Sequence, residues 1–334
     1  MRLYAMLNKR FKIFINYFLG PVLFIWLTIA IYHQIQYQKN FYATWRNTFQ
    51  TFSVKEWIKL YVVILLMFIN WGIEARKWQI QISSIEHVSF FRSFRAVFSG
   101  LAFGFGTLNG VGEYAGRALY MQEGNRLRSI AVTMVGSLSQ LIVTFVMGLI
   151  GLFYLRYFFS QQQNILHGLS VFWFDALICA VCIFAVALIA LYFSLSWVTK
   201  VVEKIPFVSR FAFFIEKVED LGGKELTRIL YLSFIRYFVF VMQYLLLLQI
   251  FKVDVSFLQA GWLVCILFLV LTIVPTITLA ELGIRGELSI QLFGLISSNT
   301  IGIIFTASGI WFINRVIPAL AGSLFILGVR LFKK

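Results

Sequence analysis

Apolar residues run along this chain in blocks too long and too uniform to be the buried faces of a water-soluble fold. Six stretches (13–32, 57–73, 129–155, 174–196, 229–251 and 300–330) are apolar over roughly the 20 residues a helix needs to cross the hydrocarbon core of a bilayer. Each predicts a membrane span. Two more apolar stretches are interrupted. Ala96 to Gly112 carries no charge but holds Gly100, Gly104, Gly106, Gly110 and Gly112, then runs into Glu113 and Arg117. Val255 to Ala280 is broken by Pro275 and followed by Glu281, Arg285 and Glu287. Both predict broken or re-entrant elements rather than plain spans. Two connecting segments are amphipathic. In 41–52, Phe41, Trp45, Phe49 and Phe52 recur at helical spacing, which suits a helix lying on the membrane surface. In 197–228, apolar residues alternate with charges of both signs, as in an interfacial linker between two bundle halves.

Composition agrees with the pattern. Of 334 residues, 60 % are hydrophobic and only 13 % charged, and the mean hydropathy is +0.85, which excludes an ordinary soluble enzyme. The net charge of +15 has no soluble basic domain to carry it, so nucleic acid is not expected as a partner. Basic residues flanking spans follow instead from the positive-inside rule. That rule also discriminates between topologies. If 96–112 crosses fully, from an N-terminus placed inside, the flanking Lys and Arg divide 13 to 13. If it enters and leaves on the cytoplasmic side, they divide 20 inside to 6 outside. The re-entrant topology is therefore adopted, with both termini cytoplasmic and the run 13–32 retained as a first span. In the C-terminal third two arrangements stay open: either 275–298 is a second re-entrant element entered from outside, or 255–274 crosses and 288–314 returns. The first would give inverted repeats, with halves 1–196 and 229–334 joined by the linker 197–228 in a single domain. The fold class expected is all-α, a polytopic helical membrane bundle with two broken elements.

Ionisable groups at membrane depth are costly, so each is a candidate for function. Glu113 and Arg117 stand four apart, after Gly110 and Gly112, where a helix start would offer free N–H groups to an anion; a local i,i+4 salt bridge is the bland alternative. Glu281 and Arg285 repeat the spacing after Pro275, with Gly283 between them. Pro275 breaks the hydrogen-bond ladder, and Thr276 and Thr278 are placed to satisfy the freed groups. Arg236 lies about two turns into its predicted span, within reach of simple snorkelling. Arg315, between Asn314 and Pro318, is too deep for that and needs a partner such as Glu281 or Glu287. Asp175, near an outer span end, is expected to be solvated. Cys179, Cys182 and Cys265 lie in apolar runs, and His33, His87 and His167 are far apart, so neither a disulfide framework nor a metal site is expected. No catalytic triad, paired catalytic carboxylate or phosphate loop is present, and neither an enzyme activity nor a cofactor is expected.

At these residues the chain resembles the flippase-like transmembrane family typified by the membrane portion of lysylphosphatidylglycerol synthase. The resemblance extends over most of the chain and rests on Arg76-Lys77-Trp78, on Gly112, Glu113 and Arg117, and on Pro275, Gly283 and Arg285. It departs from the family pattern T-P-G-R-x-G-E at Leu108 and Gly110, and from G-G-x-G-x-R-E at Ala280-Glu281 and Gly286. It implies translocation of a lipid or lipid-linked precursor across a bacterial inner membrane. The synthase's aminoacyl-transferring soluble domain has no counterpart in this sequence, so lipid lysinylation by this chain alone is not expected.

The expected function is accordingly that of a translocator for a phospholipid or polyprenyl-phosphate-linked substrate. Arg117, Arg285 and Arg315 would neutralise its phosphate, with Arg236 in the same site and Glu113 and Glu281 orienting the cations. Two rivals remain: a membrane subunit that holds a glycosyl- or aminoacyl-transferase, and a transporter of small anions or other solutes. A homo-oligomer or an attached transferase is left open as partner.

Overall fold

The computed structural model describes residues 52–161, 171–195 and 220–326, together with Ile25, Ile29 and Val218. The predicted first span apart from Ile25 and Ile29, the surface helix over 41–52 apart from Phe52, most of the linker 197–228 and the C-terminal residues lie outside this set. Among the described residues every named element is a helix, and five helices are long and apolar enough to cross a membrane.

The first of these, α1 (Val54–Ile82), starts at a capping box in which Ser53 and Glu56 satisfy each other's free groups. It then runs for about 44 Å, well beyond the hydrocarbon thickness. The span expected over 57–73 therefore continues, and Glu74 and Lys77 lie inside the bundle rather than in a loop. After a short turn, α2 (Phe90–Gly104) is capped by Ser89, and α3 (Gly112–Ala118) returns beside it. The ends of this hairpin sit together: Arg92 pairs with Glu86 and donates to the Tyr120 carbonyl, while the Gln122 N–H donates to Glu86 Oε2 at 3.1 Å. The element expected over 96–112 is thus re-entrant, with 90–104 as its entering arm. Helix α4 (Arg126–Gln161) carries the chain to the opposite face and α5 (Val171–Phe193) returns, packing chiefly on α4. Asp175, expected to be solvated, is half-exposed and pairs with Arg156 at 2.7 Å.

The second half repeats this plan upside down. Helix α6 (Gly223–Ile250) begins inside the segment assigned to the linker and crosses to the face of Phe52, whose ring meets Phe251. From that face α7 (Phe257–Ile273) enters and stops at Val274, which the following proline holds extended. Helix α8 (Thr278–Phe293) then leads back. Asn299 shows that it returns to the same face, since its side chain donates to the carbonyls of Phe251 (3.2 Å) and Lys252 (2.9 Å). Of the two arrangements open for this third, the re-entrant one is found, with 257–293 as its extent. The last span is not one regular helix: α9 (Thr300–Trp311) passes through a π-helical turn at Phe312–Val316 into α10 (Ile317–Ile326). Span, hairpin, span therefore occurs twice in opposite senses, the topology of inverted repeats.

Close packing of small residues joins the repeats at equivalent places. A Cβ on Gly151 of α4 would stand 2.9 Å from the Trp262 carbonyl of α7, and one on Gly322 of α10 would overlap the Phe98 carbonyl of α2. Gly322→Leu is expected to destabilise the bundle by about 1–3 kcal/mol through overpacking, seen as a lower melting midpoint in detergent. Gly309→Ala, whose added carbon meets nothing nearer than 3.7 Å, should leave the midpoint unchanged. In a cysteine-free background, single cysteines at Ser89 and Gly124 are expected to react with an impermeant maleimide from one side of the membrane. Those at Asp254 and Ser298 should react only from the other.

Candidate functional site

The long arms of the hairpins, α2, α7 and α8, are about 22–25 Å in length, enough to reach well into the bilayer but not to cross it. Their tips meet there. Leu108 and Ile277 form an isolated antiparallel β-bridge. The Asn109 N–H donates to the Thr276 carbonyl at 2.8 Å, and the Thr276 N–H donates to Asn109 Oδ1 at 2.9 Å. Asn109 and Gly110 both have positive φ, 49° and 69°, so Gly110 supplies the backbone freedom its position requires. The Thr276 N–H just after Pro275 is met from outside its own segment, by Asn109, and Trp311 Nε1 donates to the Thr278 carbonyl at 2.9 Å.

Two of the predicted backbone roles change. The start of α3 at Gly112 offers no anion site: its N–H donates to Thr107 Oγ1 at 2.9 Å, and the Glu113 N–H donates to the Gly110 carbonyl at 2.8 Å. Gly283 is not a break; it lies within α8, exposed, with open space where a side chain would be.

Beside the tips lies a cavity of about 780 Å³. Leu138, Leu141, Phe240, Phe268 and Leu271 give it an apolar wall, and eight charged side chains from both repeats give it a polar one. Glu74 is the hub of the first group. It accepts from Arg117 at 2.8 Å, forms an ion pair with Lys77 at 2.8 Å and stands 3.5 Å from Arg236. Arg117 turns its other terminal nitrogen to Glu113 at 3.3 Å. Glu281 and Arg285 are the second group, paired along α8. Arg315 joins the two, 3.4 Å from Glu113 and 3.8 Å from Glu281. Its π-turn disposes the side chain between the hairpins.

All six predicted ionisable residues thus come to one place, with some changes of partner. Arg117 is held by two carboxylates, which leaves it little capacity for a ligand. Arg236 does not snorkel: it sits over the Trp71 ring, 4.9 Å from the centroid, and donates to Gln140 Oε1 at 3.1 Å. Glu287, offered as a partner for Arg315, is exposed and bonds Gln291 instead. Glu74 and Lys77 were missed because the first charge after an apolar run was read as the end of the span. The helical stripe Asn70, Trp71, Glu74, Lys77, Trp78 and Gln81, all buried, was the available signal. No group of three or more metal-ligating side chains occurs among the described residues.

A family model described as the lysylphosphatidylglycerol synthase TM region matches residues 14–325. The chain belongs to this family. No curated protein and no solved structure matches it. The match to the lysylphosphatidylglycerol synthase TM region takes in both repeats, both hairpin tips and all eight charged groups of the cavity.

Removing one member of a buried ion pair strands its partner, typically at about 3–5 kcal/mol. Glu74→Gln leaves Lys77, Arg117 and Arg236 without their shared carboxylate and is expected to lower the melting midpoint sharply. Adding Lys77→Met should recover part of the loss. An unchanged midpoint in Glu74→Gln would show that the carboxylate does not hold this group together.

Proposed function

We propose that the protein moves a phosphate-bearing lipid or lipid-linked precursor between the leaflets of a bacterial inner membrane. The observation that carries this reading is an arginine-rich cavity placed where two hairpins from opposite faces meet. A charged headgroup cannot cross hydrocarbon unaided, whereas a protein-lined polar cavity at that depth lowers the barrier. The apolar wall suits acyl or prenyl chains. The mechanism uses competition: a bound phosphate draws Arg285 and Arg315 away from Glu281 and Glu113. That loosens the charged link between the hairpins and allows one face to open as the other closes. With Lys77 and Arg117 in the cavity, the remaining excess of Lys and Arg, 18 to 6, supports a cytoplasmic Glu86 face. No catalytic step belongs to this reading.

The test is purified protein in vesicles containing acyl-labelled fluorescent phosphatidylglycerol or phosphatidic acid, with dithionite bleaching of the outer leaflet. Wild type should let bleaching proceed past the outer-leaflet fraction. Arg285→Ala should stop at that fraction while keeping a wild-type elution profile. Wild-type transport by Arg285→Ala would remove the central role given to that residue. No lipid movement by wild type, with a soluble transferase co-purifying, would overturn the reading in favour of a scaffold.

A further inference from the structure

The contacts within the cavity suit a charged form for each of its ionisable groups. Ser139 Oγ donates to the Gly136 carbonyl at 2.7 Å, so it accepts from Ser233 Oγ, 2.7 Å away. Ser233 Oγ is then an acceptor for Lys77 Nζ at 3.2 Å. Lys77 also donates to the Gly136 carbonyl at 3.2 Å and pairs with Glu74 at 2.8 Å. Two hydrogen bonds donated to neutral acceptors and an ion-pair contact with the Glu74 carboxylate suit the ammonium form. Glu74, Glu113 and Glu281 each face two or more cations and act as acceptors, as ionised carboxylates do. The four arginines are charged in any protein environment. Lys77, Arg117, Arg236, Arg285 and Arg315 therefore face three carboxylates, and among the described residues the charged side chains lining the cavity carry a surplus of two positive charges.

A surplus of this kind away from bulk water calls for an anion. The places left to hold one are visible. Arg285 is 6 % exposed and lines the cavity, yet its Nε and Nη1 have no partner among the described residues, nor does Arg236 Nε. The Arg315 side chain, 34 % exposed, is the least buried of the cavity's four arginines. We infer that the headgroup taken here is a phosphate bearing two negative charges, a phosphomonoester or a diphosphate, rather than a phosphodiester, a zwitterion or a cation. A dianion cancels the surplus; a diester leaves one charge over, and a cationic headgroup adds to it. This inference rests on the translocator reading and narrows its substrate.

The experiment measures binding by native mass spectrometry and thermal shift at pH 8, where a phosphomonoester is close to doubly charged. The probes are short-chain phosphatidic acid, phosphatidylmethanol, which is the same lipid with one methyl more and one charge less, phosphatidylglycerol, phosphatidylethanolamine, and inorganic phosphate and diphosphate. Phosphatidic acid should bind at least about tenfold more tightly than phosphatidylmethanol, as expected when one further charge meets a cation in a poorly solvated site. Arg315→Gln lowers the surplus to one and should bring the two lipids level, as should Arg285→Gln; Glu287→Gln, on the exposed face of α8, should change nothing. Equal binding of the two lipids by wild type, still lost in Arg285→Gln, would overturn the dianion and leave the translocator standing. Inorganic phosphate or diphosphate binding as tightly as phosphatidic acid would overturn the lipid as its source. No Arg285-dependent lipid binding at all would overturn both.

Discussion

A peptide group at the middle of a bilayer has no water to bond, so a chain that breaks its helices there must find every partner within itself. The rest of this structure depends on how that constraint is met. Neither hairpin is complete alone. The tip of the first leaves Asn109 to be satisfied and the tip of the second leaves Thr276, and the two answer each other across the centre of the molecule. Trp311 from the last span adds a hydrogen bond to the Thr278 carbonyl at the start of α8. The inverted repeats are joined by the need of each broken segment for the other.

The charged groups follow the same rule. A chain of alternating sign runs from Lys77 and Arg236 through Glu74, Arg117, Glu113, Arg315 and Glu281 to Arg285. It crosses between the repeats twice, at Glu74–Arg236 and at Glu113–Arg315. Alternation makes the burial of so many charges tolerable, since most cations touch a carboxylate and each carboxylate touches more than one cation. Arginine suits this role because its planar fork can serve two acceptors at once, as Arg117 does with Glu74 and Glu113.

Much of this was legible in the sequence because hydrophobic length and charge are direct readouts of the bilayer. The spans, the re-entrant first element and the gathering of Arg117, Arg236, Arg285 and Arg315 follow from segments whose polarity is wrong for lipid. The Lys and Arg count separated two topologies that apolar length alone could not. Illegible were features set by contact between distant segments. Glu74 looks like the end of a span until α6 and the first hairpin are placed around it. Arg315 does not announce that it reaches Glu113, some 200 positions earlier, because its direction depends on a π-helical turn that the sequence around Asn314 does not mark. Gly283 carried a family position without the backbone role assigned to it, since α8 runs through it unbroken.

The tip-to-tip pairing bears on how such a protein can change over generations. Three of the four groups in its two hydrogen bonds are main-chain atoms, and only Asn109 Oδ1 comes from a side chain. Mechanical continuity between the two hairpins is therefore nearly independent of which residues occupy the tips. The side chains there and along the cavity wall are free to drift towards new cargo while the moving parts stay coupled. The departure from the family pattern at Leu108 lies in that tolerant stretch, whereas Gly110 is held to glycine by its positive φ.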